Sequence, residues 1–145
     1  MTDDRLAPFG ALLLRVALGA MFLAHSLYLK LVVFTLPGTV KFFESLGLPG
    51  WSAVATVTVE AGAGALLIAG YRTRWAALAT LPVLLGATWV HSGNGWVFTS
   101  TNGGWEYPVF LTVAVLVQAM LGDGAFALSS ASRQARLPAQ AAYAR

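Results

Sequence analysis

The stretch WSAVATVTVEAGAGALLIAG, Trp51 to Gly70, decides the class of this protein. It holds twenty residues with a single ionisable side chain, Glu60, at its centre. A bilayer crossing needs ~20 largely apolar residues at the helical rise. The stretch matches that length, and YRTR at 71–74 closes it as a turn too short for anything but an antiparallel neighbour. Composition agrees. Apolar residues make up 57% of the chain and charged residues 10%, where soluble domains carry roughly 25% charged. With a mean hydropathy of +0.69, a soluble fold of this size could not bury so much apolar surface.

Working outward, three more spans are expected: about 8–36, 75–91 and 105–121, beside 51–70. The first is too long for a cleaved signal peptide and carries Arg15 where the apolar core of a signal would lie. Pro37-Gly38 is expected to end it, and 41–50 reads as a short amphipathic connection with Phe42, Phe43 and Leu46 on one face. Residues 92–104 are a Gly, Ser, Thr and Asn loop without cations, and Gly122-Asp123-Gly124 stops the last span. The expected fold is an all-α membrane protein, an antiparallel four-helix transmembrane bundle over 1–128. A cytoplasmic tail over 129–145 is expected to be partly disordered. Arg5, Arg72, Arg74, Arg133, Arg136 and Arg145 then fall on one side and Lys41 on the other, with Lys30 near a helix end. The positive-inside rule therefore puts both termini in the cytoplasm. Trp51, Trp89, Trp96 and Trp105 gather near the outer interface, and Trp75 at the inner one.

The lack of cysteine excludes a thiol relay, an iron–sulfur centre and a Cys-based zinc site within this chain. The net charge of +3 is spread over loops, not a basic interface, so nucleic acid is not an expected partner. No protein-borne metal site is expected. Phosphate-loop and nucleophile-elbow patterns are missing too.

Charges at bilayer depth are costly, and each needs a partner or a purpose. Arg15 and Glu60 are expected to pair, because Gly19 and Gly64 permit a close approach of their antiparallel helices. Such a pair is either a staple for the fold or part of a site. His25 and Lys30 flank the same stripe as Arg15. His91 ends the third span, and Glu106 and Tyr107 begin the fourth. Together these groups are expected to line a polar vestibule opening outward, with Glu60 at its floor and Trp89, Trp96 and Trp105 as walls. The alternatives are an acidic helix start for Glu106 and a lipid-interface belt for the tryptophans. His25 and His91 would also suffice for bis-His haem, though no spacing selects it.

Five stretches, LRVALGAMFLAHSLYLK (Leu14–Lys30), FFESLGLP (Phe42–Pro49), VEAGAGALLIAGYRTRWAAL (Val59–Leu78), GGWEYPVFL (Gly103–Leu111) and the following LGDGAFAL, occur in an order, with His91 between, that resembles the DoxX family of small bacterial and archaeal membrane proteins. The resemblance runs over nearly all of Leu14 to Leu128. It implies a four-helix fold and a cell-membrane location. It also implies an association with quinol oxidase or thiosulfate:quinone oxidoreductase subunits, and makes Arg15, His25, Lys30, Glu60, His91, Glu106 and Tyr107 the family-like polar residues. The leading expectation is a subunit or accessory beside a redox partner, with a pocket for a quinone or similar amphipathic ligand. Glu60, His91 and Glu106 would carry protons. Arg15, His25, Lys30, Trp89, Trp105 and Tyr107 would bind the ligand. A small-solute transporter, for which a homodimer would supply the symmetry, and an assembly scaffold are the other readings.

Overall fold

The computed structural model describes residues 5–129, and every described regular element is helical. Helix α1 spans Ala7–Leu23 and continues directly as a π-helix over Ala24–Val33. Then come α2 (Leu36–Ser45), α3 (Trp51–Ala69), α4 (Thr73–Ala79), α5 (Leu81–His91) and α6 (Glu106–Leu121). The expected tail lies, beyond Ser129, outside the described residues.

Three helical stretches are long and apolar enough to cross a membrane: Ala7–Val33, Trp51–Ala69 and Thr73–Asn94. Helix α6 is equally apolar but has 16 residues, about 24 Å at the helical rise. A third or less of each long span is buried within the molecule. The outward residues are large and oily, among them Leu13, Val32, Phe110 and Met120. Water would not support such a surface, whereas lipid does.

Two boundaries differ from expectation for local reasons. The first span is broken at Thr35, whose φ is 61°, and not at Pro37. Proline lacks a donor that the first turn of a helix does not use, so Pro37 begins α2 instead of ending α1. The third span is interrupted at Thr80, since Pro82 has no N–H to give to the carbonyl of Leu78.

Helix α1 lies against α3, and α6 against α4 and α5. The core joins Leu18, Phe22, Leu67, Ala77, Leu84 and Val115. Where α1 meets α3 there is no room for side chains. A Cβ on Gly19 would stand 2.8 Å from the Gly64 carbonyl oxygen, and one on Gly64 would stand 2.9 Å from that of Gly19. The glycine-to-glycine approach expected from the sequence is therefore present. It fixes the register of the two helices.

Candidate functional site

That register decides the partners of the buried charges. Gly19 faces Gly64, so Arg15 lies near Ile68 and Glu60 lies near Leu23. Helical side chains lean toward their own N-terminus. On these antiparallel helices Arg15 therefore leans away from Glu60, while Lys30, further along the same rod, leans toward it. Glu60 leans toward Lys30 in turn.

The expected Arg15–Glu60 pair does not form. Lys30 Nζ instead donates to both carboxylate oxygens of Glu60, at 2.8 and 2.7 Å. The Glu60 side chain is 6% exposed and that of Lys30 18%, so the pair is largely shielded from solvent. The π-helix carries Lys30. Its wider turn frees the Lys30 carbonyl for Thr39 Oγ1 of α2, which donates to it at 3.0 Å. Wide helical turns of this kind are often found at functional positions.

Arg15 takes a structural place at the opposite end. It is 1% exposed. Its guanidinium donates to the carbonyls of Leu67 (2.9 Å), Ile68 (2.5 Å), Ala125 (2.9 Å) and Phe126 (3.3 Å). Leu67 and Ile68 belong to the last turn of α3, where carbonyls lack the donor four residues on and the helix dipole is negative; Leu67 O also accepts from Gly70 N at 3.2 Å. A planar fork of five N–H groups suits that task. The segment after α6 is drawn into the same knot, with Ala125 N donating to Pro8 O at 2.9 Å.

Both histidines use Nδ1 on backbone carbonyls. His25 Nδ1 lies 3.0 Å from Met21 O, and His91 Nδ1 lies 3.1 Å from the carbonyls of Asn102 and Gly103. A carbonyl only accepts, so a ring that is neutral at either place carries its proton on Nδ1 and keeps Nε2 as an acceptor. His91 shares its carbonyls with Asn94, whose Nδ2 donates to Asn102 O at 3.1 Å and Gly103 O at 2.9 Å. The two side chains thus tie the 92–105 loop to the end of α5. Tyr107 stacks on His25 with ring centroids 6.4 Å apart.

A cavity of about 370 Å³ opens among these groups. His25, Lys30, Glu60, His91 and Tyr107 all line it. Its remaining walls are mostly apolar, with Phe42 and Phe43 of α2 and Leu46 just after it along one side and Pro108 and Leu111 of α6 among the other contributors. Five of the nine residues expected at the site are thus brought together. Arg15 is not among the lining residues. Glu106 is occupied elsewhere, its Oε1 accepting from Phe98 N at 3.1 Å. Trp89 and Trp105 do not line the cavity either. Trp89 is 61% exposed, and Trp105 packs edge-on against Trp96 at 4.4 Å, an arrangement suited to a lipid-interface belt. Ser52 and Thr56 of α3 were missed. They sit eight and four residues before Glu60, on the same helical face, and that spacing is legible in the sequence. Among the described residues no cluster of three or more His, Asp or Glu side chains is placed to hold a metal ion.

The DoxX family model matches residues 10–93, more than half of the chain. The match takes in every cavity residue except those of α6. A curated relative from Bacillus subtilis (strain 168), named "Putative oxidoreductase CatD", is 36% identical over 78 residues. That match covers 54% of this chain and 56% of the relative, so the aligned stretch spans little more than half of that protein. No solved structure matches the chain.

Proposed function

Since this chain belongs to the DoxX family, we propose that it is a membrane subunit or accessory of a quinone-linked oxidoreductase system, holding a quinone-like ring in the cavity beside Glu60. The observation that carries this reading is the Lys30–Glu60 pair set into a mostly apolar cavity. Ligand sites of amphipathic molecules combine apolar walls with a few placed polar groups. Lys30 has three N–H donors, and two go to Glu60, leaving one for a carbonyl oxygen. His25 Nε2 and the carboxylate offer acceptors for a hydroxyl. A site with both kinds of group suits a ring that alternates between carbonyl and hydroxyl forms, which is the chemistry a quinone supplies when bound. Glu60 and His91 carry protons in this scheme, Glu106 holds the 92–105 loop through Phe98 N, and electrons pass through a partner protein. The name of the Bacillus subtilis relative supports the oxidoreductase class.

In the same reading the chain sits in the cell membrane with its N-terminus in the cytoplasm. Arg5, Arg72 and Arg74 mark the inner face, and the cavity faces outward.

The test is ligand protection. Purified protein in detergent should unfold at a higher temperature with a quinone analogue present, by mass action, and should bind a labelled analogue that unlabelled quinone displaces. Glu60→Gln should weaken both. If wild-type protein shows neither protection nor displacement, the reading is wrong.

A further inference from the structure

Beside the first cavity runs a second hollow of about 470 Å³, and the two share His25, Lys30, Phe42 and Phe43. The second is walled by the π-helix on one side and α2 on the other, through Leu29, Phe34, Gly38 and Thr39. Its character differs. Apart from His25, Lys30 and the Thr39 hydroxyl, which is spent on the carbonyls of Lys30 and Thr35, the side chains lining it are apolar or absent. Phe34, just past the first span, and Phe42 of α2 line it too and are 59% and 52% exposed. The break at Thr35, whose φ is 61°, separates α2 from the span that precedes it, and the hollow lies between the two.

We propose that the ligand of the Glu60 cavity bears a long apolar chain, and that this chain leaves sideways between the π-helix and α2 into the bilayer. The proposal rests on the cavity being a ligand site. Lys30 stands at the junction, where a polar ring ends and its chain begins. A molecule with that division places its oxygens against Lys30 and His25 and its carbons against Leu29, Phe34 and Phe43. It reaches the site through lipid, with no passage through water. Gly38 is the one residue of the α2 wall without a side chain. A Cβ there would meet Thr35 Oγ1 at 3.4 Å, an ordinary contact, so a larger residue can be built on it at the expense of the hollow.

Full-length protein in nanodiscs is titrated with three probes: a tail-less benzoquinone, the same ring with a decyl chain, and decanol alone, each corrected for partition into empty nanodiscs. The chain-bearing ring should bind more tightly than the tail-less ring, on the order of tenfold or more for several buried methylenes. Gly38→Phe should remove that advantage and leave the tail-less ring unaffected. Phe34→Ala, which alters the opposite wall without adding bulk, should weaken the chain-bearing ring selectively. Equal binding of both rings to the wild type, or a Gly38→Phe effect shared by both, would overturn the lateral route while leaving the ring site standing. Decanol binding as tightly as the decyl ring, with the same dependence on Gly38, would make the hollow a lipid groove and also overturn it. Failure of the wild type to bind either ring would remove the ring site, and this proposal with it.

Discussion

Lys30 and Glu60 lean toward each other from antiparallel helices, and the ammonium bridges both carboxylate oxygens within 2.8 Å. Breaking a shielded pair by removing one partner leaves the other charge uncompensated, at a cost of about 3–5 kcal/mol. Glu60→Leu and Lys30→Met should therefore each lower the thermal midpoint markedly. The double variant should recover most of the loss, while binding of a quinone analogue stays absent. A double variant no more stable than the singles would show that the pair is not the source of the effect.

Arg15 should behave as a staple at the far end. Arg15→Met removes a donor from four carbonyls, of which Leu67 O keeps Gly70 N at 3.2 Å, with an expected loss of several kcal/mol at ~1–3 kcal/mol per buried unsatisfied group. Arg15→Lys should rescue little, because one ammonium cannot reproduce the planar fork. Thermal unfolding measures the loss. Protease sensitivity of the 122–129 segment should rise along with it.

The α1–α3 contact predicts a contrast between two glycines on one helix. Gly64→Ala drives a Cβ to 2.9 Å from the Gly19 carbonyl oxygen, and overpacking of this kind costs about 1–3 kcal/mol. Gly62→Ala meets nothing within 4 Å and should be neutral or stabilising by up to ~1 kcal/mol. Thermal midpoints of the two variants decide it, and similar losses at both sites would count against the packing.

His91→Ala removes one of the two side chains that hold the carbonyls of Asn102 and Gly103. Hydrogen exchange over residues 95–104 should accelerate while α3 and α6 keep their protection. An unchanged loop would mean Asn94 suffices by itself.

Because the chain has no cysteine, single-cysteine variants report topology cleanly. Tyr71→Cys should resist a membrane-impermeant maleimide in intact cells, and Ser100→Cys should react. The reverse pattern would invert the proposed orientation.

The sequence carried the fold well, since spans of apolar residues punctuated by glycine and proline are read directly from hydropathy. It carried the site less well. The Arg15–Glu60 pairing assumed that two charges near one depth would meet, and ignored the lean of side chains along a helix. Once Gly19 and Gly64 set the register, that lean sends Arg15 to the α3 terminus and Lys30 to Glu60, so this error was avoidable. The π-helix was not legible. Nothing in the residue types of AHSLYLKLVV (Ala24–Val33) distinguishes it from an ordinary helical stretch. The His91 latch depends on loop carbonyls, which have no signature in residue type.

The broad winding from Ala24 to Val33 has a genetic corollary. Where Lys30 points depends on how many residues separate Leu23 from Thr35, so the position is encoded by count as well as by letter. If the winding stays as it is, deleting one residue between Leu23 and Lys30 turns everything beyond it by about 80–100°, carrying the ammonium off its carboxylate with the remaining side chains unchanged. Scanning by substitution would leave this layer of the design unseen, whereas a library of single-codon deletions would expose it.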